Sequence, residues 1–301
     1  MKQAYKDISF QRETRALIYF LDDLIASYQQ QGFMLSVRQL YYQLVARDKV
    51  ENTERSYKRV ASIINDARLA GLLDWDAIED RGRDIEVRGR WSSGASIVRS
   101  AAQSFHMDMW KNQAERVFVI VEKAALAGVL GGICRQYDVP LLAARGYPSV
   151  SVVREMVMEH IKPAMEAGQI PVILHLGDHD PSGIDMTRDL GERLRLFVEG
   201  EMLDDDIQWD VDRIALTKRQ IEEKNPPPNP AKTTDARFAS YRKVHGDESW
   251  ELDALEPSYL VDLVRRHIKK SIDLGAWRER TEEIEHIRTK LTQVADDFVD
   301  A

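Results

Sequence analysis

The first seventy residues of the chain carry apolar positions at helical spacing. From Leu17 to Ile25, apolar residues recur at steps of three and four, which marks one buried face of a helix. Gly32 is typical of a helix end. Ser36 and Thr53 are typical N-caps, and each precedes an amphipathic stretch, SVRQLYYQLVARD and TERSYKRVASIINDARLAG. The pattern therefore predicts three helices in this part of the chain.

The stretch that follows these helices, LLDWDAIEDRGRDIEVRGRW, favours a winged helix-turn-helix, with DRGR as the turn of the wing. In such a fold one helix enters the major groove of DNA while the wing contacts the backbone. The periodicity alone fits an ordinary helical bundle equally well, so both interpretations stay open at this point.

From residue 115 onward, short apolar runs alternate with helical segments. The runs RVFVIVE, VPLLAAR, PVILHLG and DVDRIALT predict four strands. Alternation of strands and helices with short connections predicts a mainly parallel sheet, and hence an α/β fold class. The proline-rich segment 225–235 is incompatible with a helix or a central strand and predicts an extended loop. Two helices, at about 256–272 and 277–298, are expected to finish the chain.

These patterns predict two domains. We expect a helical, winged-helix-like DNA-binding domain at residues 1–91 and a linker at residues 92–114. Residues 115–301 are expected to form the mainly parallel α/β domain, which includes the C-terminal helices. A chain of 301 residues is long enough for two domains that each bury a core.

The composition favours a cytoplasmic protein that has no membrane partner. No apolar run approaches the length needed to span a bilayer, and the N-terminus lacks the apolar region of a secretory signal. The single cysteine, Cys134, excludes an internal disulfide framework and a cysteine-rich zinc site.

The net charge of −8 argues against a polycation that coats nucleic acid, but basic residues cluster locally. Acidic residues are interspersed among them, so a solvated surface is the alternative interpretation. We expect this cluster to contact phosphates of double-stranded DNA, with salt-sensitive binding and little sequence preference. Its members in the third helix and the wing are Arg55, Lys58, Arg59, Arg68, Arg81 and Arg83.

Three carboxylates stand at the ends of predicted strands. Glu122 ends the first strand, and Asp178 and Asp180 follow the third within GDHDPSG. The carboxyl ends of parallel strands form one edge of the sheet, so these side chains are expected to meet there. Clustered carboxylates repel one another, and Mg²⁺ relieves this because it prefers carboxylate and phosphate oxygens. The pattern predicts a magnesium site, in which Mn²⁺ can substitute; a capped turn is the alternative for the Asp-x-Asp pair.

Four motifs in the same order resemble those of one family. They are SVRQLYY at 36–42, VEK at 121–123, RGYPS at 145–149 and DHDPSG at 178–183. The chain thereby resembles Toprim-domain proteins, and more closely the A subunit of topoisomerase VI and its meiotic double-strand-break relatives. The segment WELDAL at 250–255 is similar to a weaker segment near the end of that family's Toprim domain. The resemblance implies a winged helix followed by a Toprim-like domain.

The resemblance also implies a mechanism. Tyr42 would attack a DNA phosphate, Arg38 would stabilise the phenolate or the phosphate, and Glu122 would act as general acid and base. Asp178 and Asp180 would hold Mg²⁺ together with Glu122. The family's tyrosine works with the metal site of another protomer, which implies a homodimer. The alternative for Tyr42 is packing or passive DNA contact.

The chain departs from the family at Ala124, where relatives usually carry an acidic residue, and Asp253 is either a metal neighbour or a surface carboxylate. The preferred hypothesis is a Mg²⁺-dependent DNA nuclease or nickase. One alternative is a tyrosine transesterase that acts with a separate ATPase subunit. The other is a non-catalytic DNA-binding assembly protein.

Overall fold

The computed structural model describes residues 2–79, 89–201 and 209–297. Helices dominate the chain, and strands form one larger sheet and two short pairs. The helices are α1 (Arg12–Gln30), α2 (Val37–Val45), α3 (Glu54–Leu69), α4 (Gly94–Ser104), α5 (Leu126–Gln136), α6 (Val150–Met156), α7 (Lys162–Glu166), α8 (Pro181–Gly200), α9 (Lys218–Lys224), α10 (Phe238–His245), α11 (Pro257–Lys270) and α12 (Leu274–Asp296). The strands are β1 (Leu35–Ser36), β2 (Ile78–Glu79), β3 (Glu115–Val121), β4 (Leu141–Ala143), β5 (Ile170–Leu176), β6 (Val211–Ala215), β7 (Asn229–Pro230) and β8 (Glu248–Ser249).

The three helices predicted for the N-terminal part are present, and their starts follow from capping. Ser36 caps α2 by accepting a hydrogen bond from the backbone N–H of Gln39, whose side chain accepts one from the backbone of Ser36. Thr53 caps α3 by accepting from the N–H of Ser56. The apolar faces of α1, α2 and α3 pack into a separate core that includes Tyr42.

The larger sheet has four parallel strands in the order β4-β3-β5-β6. This confirms the predicted α/β class and the mainly parallel sheet. β3 and β5 lie at the centre, and their residues Val117 to Val121 and Ile173 to Leu176 are almost fully buried. Continuous apolar runs of this kind are typical of strands covered by helices on both faces.

Helices cover both faces of this sheet. One face packs with α5 and α11 around Leu130 and Val264, and the other packs with α6 and α8 around Phe118 and Leu190. Burying each such side chain contributes roughly 1.5–3 kcal/mol relative to leaving it exposed. The C-terminal helices are therefore part of the α/β unit.

Residues between the two predicted domains include α4, which packs against α12. The loop between α2 and α3 also contacts the C-terminal part directly: Arg47 pairs with Glu256 at 3.2 Å, and Asn52 donates a hydrogen bond of 2.5 Å to Asn229. α2 itself contacts the turn Leu252–Ala254 in the same part of the chain.

The turn proposed for the wing lies in residues 80–88, outside the described residues. The proline-rich segment 225–235 contains the two-residue strand β7, which pairs antiparallel with β8 in a separate two-stranded sheet. Among the helices that the structure describes, none is long and apolar enough to span a membrane.

Candidate functional site

Two acidic residues that follow neighbouring strands are hydrogen bonded to each other at the carboxyl edge of the sheet. Glu122 comes directly after β3, and Asp178 lies two residues after β5. The backbone N–H of Asp178 donates to Oε2 of Glu122 at 2.9 Å. Burial and then the charge of Asp180 raise the pKa of Glu122, against the lowering effect of this hydrogen bond. A carboxyl with a raised pKa is suited to proton transfer.

Asp180 has a structural role at the start of α8. Its Oδ1 accepts hydrogen bonds from the N–H of Gly183 at 2.6 Å and from the hydroxyl of Ser182 at 2.9 Å. This is the N-cap arrangement that satisfies an otherwise unpaired helix N–H group. Asp180 also lines the cleft that Asp178 lines, so its capping role does not remove it from the site.

Two glycines allow the acidic residues to approach one another. A Cβ atom at Gly177 would lie 3.0 Å from Oε2 of Glu122, and one at Gly183 would lie 2.2 Å from the backbone oxygen of Asp178. A larger residue at Gly183 would collide with backbone that cannot move independently. Gly183 is therefore required by the packing of this turn, whereas a Cβ at Gly177 would require only small shifts of the neighbouring side chains.

A segment far away in sequence completes the acidic cluster. His179 and Trp250 exchange backbone hydrogen bonds of 2.8 and 3.0 Å, and the N–H of Leu252 donates to Oδ1 of Asp178 at 2.7 Å. The pairing directs the carboxylate of Asp178 towards Glu251 and Asp253. Oxygens of these three acids, one from each, lie within 4.8 Å of one another.

These three residues could hold a metal ion. All the donor atoms are carboxylate oxygens, which suit a hard divalent cation. The predicted ligand set was Glu122, Asp178 and Asp180. In the described residues, the acids that converge at metal-binding distance are Asp178, Glu251 and Asp253, so only Asp178 belongs to both sets. Glu251 was missed by sequence reasoning, although it lies in the WELDAL segment.

Two cations face the three carboxylates. Nζ of Lys123 lies 3.0 Å from Oδ2 of Asp178 and 2.9 Å from Oδ1 of Asp253, and it also pairs with Glu251. Arg38 contacts Glu251 at 3.0 Å and Asp253 at 3.3 Å. Lys123, too, was not among the predicted site residues, although it directly follows Glu122.

The pKa values of this cluster reflect burial and pairing together. Burial opposes the charged form of Lys123, yet Asp253, Asp178 and Glu251 raise the pKa of its ammonium above the ordinary value. Burial raises the pKa of Asp178 well above its usual range, against the opposing effect of Lys123. For Glu251, Lys123 and Arg38 outweigh burial and lower the pKa. The cluster is thus sensitive to the cations placed beside it.

Tyr42 lies in the same cleft as these charges. Its side chain is 6% exposed, and the Cζ atom of Arg38 lies 5.9 Å from the centre of its ring. Burial, and then Glu251 and Asp253, raise the pKa of Tyr42 to about 12, while Arg38 and Lys123 act in the opposite direction. The predicted pair Arg38 and Tyr42 is therefore close together, beside the acids.

The neighbouring tyrosine has a different environment. The hydroxyl of Tyr41 contacts the backbone oxygens of Glu51 and Thr53 at 3.2 and 3.1 Å, and the side chain of Asn52 at 3.3 Å. These hydrogen bonds tie α2 to the loop before α3. Tyr41 thus supports the wall of the cleft, and Tyr42 faces the charged cluster.

The cleft has a volume of about 550 Å³ and lies between the helical N-terminal part and the sheet edge. Lys58 and Lys232 are exposed at its lining, so positive charge accompanies the acids. This combination can accommodate a polyanion whose phosphates neutralise the lysines while a cation on the acids contacts one phosphate. The lining residues that carry this chemistry are Arg38, Tyr42, Lys58, Asp178, Asp180 and Glu251.

The predicted DNA-contact residues fall into three groups. Arg55, Lys58 and Arg59 are exposed on α3, and Lys58 also pairs with Glu54 at 2.7 Å. Arg68 donates hydrogen bonds of 2.8 Å to the backbone oxygens of Trp75 and Ile78, so its guanidinium links α3 to the segment that follows it. Arg81 and Arg83 lie outside the described residues.

A half-buried arginine supports the turn beneath the acids. Arg213 of β6 donates hydrogen bonds to the backbone oxygens of Gly177, Asp178 and Gly183, at 3.0, 2.6 and 2.8 Å. Burial lowers its pKa to about 10. A charged residue in the middle of the apolar run DVDRIALT was the available sequence signal for this role.

No protein-family model matches the chain, and no curated protein matches it.

Proposed function

We propose that this chain is a DNA-cleaving enzyme that depends on a divalent cation, Mg²⁺ or Mn²⁺. One observation carries the proposal: Asp178, Glu251 and Asp253 converge beside a cleft that Asp178 and Glu251 line together with Tyr42 and exposed lysines. Carboxylate clusters of this kind bind divalent cations, and the lysines suit a phosphate backbone. The order of the four Toprim-like motifs supports the same function.

Different residues of the site would bind the cation, transfer a proton and stabilise negative charge. Asp178, Glu251 and Asp253 would hold the cation, which when bound polarises a phosphodiester and stabilises the leaving oxygen. Glu122 would move a proton, because burial raises its pKa and its Oε2 is fixed by the N–H of Asp178. Arg38 would stabilise negative charge on the bound phosphate.

Hydrolysis is the preferred reaction. In the metal-free site, burial and then the charges of Glu251 and Asp253 raise the pKa of Tyr42 to about 12, which disfavours its phenolate near neutral pH. Transesterification by Tyr42 is the second candidate, and the contact of Arg38 with its ring favours it. In that reaction Tyr42 becomes covalently linked to the DNA end, and strand passage would require a separate ATPase subunit.

We also propose double-stranded DNA as the substrate and a homodimer as the active species, as the family resemblance implies, but in contrast to that family we propose that each tyrosine acts within its own chain. Tyr42, Asp178 and Glu251 line one cleft of a single chain, and Asp253 is buried beside Asp178 and Glu251, so each copy would carry both the tyrosine and the metal site. The dimer would then position two cleavage sites on the duplex, without exchange of catalytic residues.

The experiment is cleavage of supercoiled plasmid with Mg²⁺ or Mn²⁺, followed by a denaturing step that reveals protein-linked ends. The variants are Asp178→Asn, Asp253→Asn and Tyr42→Phe, and the matched control is Asp262→Asn, which alters an exposed carboxylate on α11. We expect the two cluster variants to lose cleavage and the control to retain it.

The outcome for Tyr42→Phe separates the two reactions. Cleavage that persists in this variant, with no protein on the DNA ends, supports hydrolysis. Loss of cleavage, with covalent DNA on the unmodified protein, supports transesterification. Plasmid that stays intact under all metal conditions, although the folded protein binds it, would exclude cleavage and leave a DNA-binding role.

A further inference from the structure

The ammonium group of Lys123 occupies the position that a cation takes in the acidic cluster. Its Nζ lies within 3.0 Å of oxygens of Asp178 and Asp253 and also pairs with Glu251. The same three residues are the ones whose oxygens converge at metal-binding distance. The side chain of Lys123 is only 13% exposed, so it is held inside the cluster.

Space favours one cation in this position at a time. Mg²⁺ coordinates oxygens at about 2.0–2.1 Å, and the three acids already approach within 4.8 Å of one another around the lysine. A divalent ion bound to all three carboxylates would therefore overlap with the ammonium group or lie in close repulsive contact with it.

Charge leads to the same conclusion. When all three carboxylates are ionised, Lys123 and Arg38 together leave one negative charge on them. A divalent cation with Arg38 alone would balance them, whereas a divalent cation with both side chains would leave an excess positive charge. In addition, the side chain of Asp253 is fully buried, and its Oδ2 receives no hydrogen bond from the described residues; its charged neighbour is Nε of Arg38 at 3.3 Å.

We propose that Lys123 is a displaceable internal counter-ion, which neutralises Asp178, Glu251 and Asp253 in the metal-free protein and leaves the cluster when a divalent cation binds. This deepens the proposed function, because it rests on the same acids as the metal site. Lys123 would thereby help to set the concentration of divalent cation at which the site is filled. On release, its ammonium group would move towards the cleft.

The first test is metal binding by Lys123→Met, a substitution that removes the charge and keeps the side-chain length. Isothermal titration with Mg²⁺ and Mn²⁺ alone should show binding about tenfold or more tighter than in the unmodified protein, because a competing positive charge is gone. The melting temperature of the metal-free variant should be lower, since buried carboxylates lose a partner, and metal should raise it more strongly than in the unmodified protein. Lys162→Met is the matched control, because it breaks the ion pair of Lys162 with Glu201 elsewhere.

A second test uses the unmodified protein, in case Lys123→Met does not fold. Lysines are acylated with an N-hydroxysuccinimide ester, with and without saturating Mg²⁺, and the modification of each is followed by mass spectrometry. Lys123 should react faster with Mg²⁺, while Lys162 should react at an unchanged rate. Equal protection of Lys123 in both conditions, or Mg²⁺ affinity of Lys123→Met no tighter than that of the unmodified protein, overturns the proposal.

The readouts are independent of DNA cleavage. Tighter metal binding by Lys123→Met, without any cleavage by the unmodified protein, would support the counter-ion role of Lys123 and reject the nuclease function. Metal-dependent cleavage by the unmodified protein, with no effect of Lys123→Met on metal binding, would support the nuclease and reject the counter-ion role of Lys123.

Discussion

The backbone N–H of Asp178 donates a 2.9 Å hydrogen bond to Oε2 of Glu122, which joins two acids that follow neighbouring parallel strands. The bond uses one oxygen of Glu122 and none of the side-chain oxygens of Asp178. Glu122 can therefore hold the turn in place and still exchange a proton. The structural and chemical roles of this residue can be separated by substitution.

Glu122→Gln keeps the side-chain shape and an oxygen that can accept the hydrogen bond, but it removes the exchangeable carboxyl proton. We expect plasmid cleavage to fall by about a hundredfold to ten-thousandfold, as for loss of a general acid or base. The melting temperature and Mg²⁺ affinity should change little. Initial cleavage rates and thermal melts provide the measurement, with Glu192→Gln on the exposed part of α8 as control. An unchanged cleavage rate would remove Glu122 from the chemistry.

Gly183→Ala tests the packing of the turn. The new Cβ would lie 2.2 Å from the backbone oxygen of Asp178, so the helix start or the turn has to move. We expect the free energy of unfolding to drop by about 1–3 kcal/mol or more, as for overpacked sites. Gly132→Ala in α5 is the matched control, because nothing lies within 4 Å of its Cβ position. It should stabilise the helix by about 0.5–1 kcal/mol.

If chemical denaturation gives the two alanine variants equal stability, the close approach of the backbone at Gly183 is not a constraint on the fold.

The secondary structure could largely be predicted from the sequence because its signals are local. The apolar runs that predicted four strands correspond to β3, β4, β5 and β6, and the caps at Ser36 and Thr53 begin α2 and α3. The proximity of Glu122 to Asp178 was also predictable, since parallel strands end at a common edge.

The remaining part of the site depends on contacts between distant segments. Glu251 and Asp253 reach Asp178 through the backbone pairing of His179 with Trp250, and such a single bridge has no local sequence pattern. Arg68 differs in that its spacing placed it on a basic helix face, whereas its hydrogen bonds to the backbone oxygens of Trp75 and Ile78 had no sequence signal.

His175 should make stability depend on pH. Burial lowers its pKa to about 3, from an ordinary value of about 6.5. The unfolded chain therefore binds a proton that the folded chain excludes, and the stability contributed by neutral His175 is lost as the pH falls from about 6.5 towards about 3. Its effect on the free energy of unfolding is about 1.4 kcal/mol per pH unit in this window. Asp178 and Glu122, whose pKa values are raised, act in the opposite direction.

Comparison with variants isolates this contribution. His175→Gln should reduce the fall in the free energy of unfolding between pH 6 and pH 4.5 by about 1.4 kcal/mol per unit. Thr187→Val removes the 2.8 Å contact to Nδ1 but keeps the imidazole, so its slope should stay steep. Urea denaturation at several pH values measures both. A slope for His175→Gln equal to that of the unmodified protein would contradict the prediction.

Arg55 and Arg59 on α3 should contribute to DNA binding through phosphates. Both are exposed and line, with Lys49, a cavity of about 600 Å³. In the double variant Arg55→Ala/Arg59→Ala, the slope of log affinity against log salt concentration should become shallower by about 2, since each phosphate contact contributes about 0.9. Fluorescence anisotropy with duplex DNA measures the slope. Arg278→Ala/Lys290→Ala on α12 is the control, and an equal loss in both double variants would indicate a general charge effect.

Tyr42 and Asp178 line one cleft of a single chain, so they should act within the same copy. Tyr42→Phe and Asp178→Asn chains, carrying different tags, are co-expressed and purified through both tags in turn. If the reaction uses Tyr42, each variant alone should lack covalent cleavage, and the mixed dimer should also lack it because neither copy has an intact cleft. Restored cleavage in the mixed dimer would instead mean that the tyrosine of one copy serves the acids of the other. Dimers of each variant with the unmodified chain are the control, since each retains one intact cleft and should cleave.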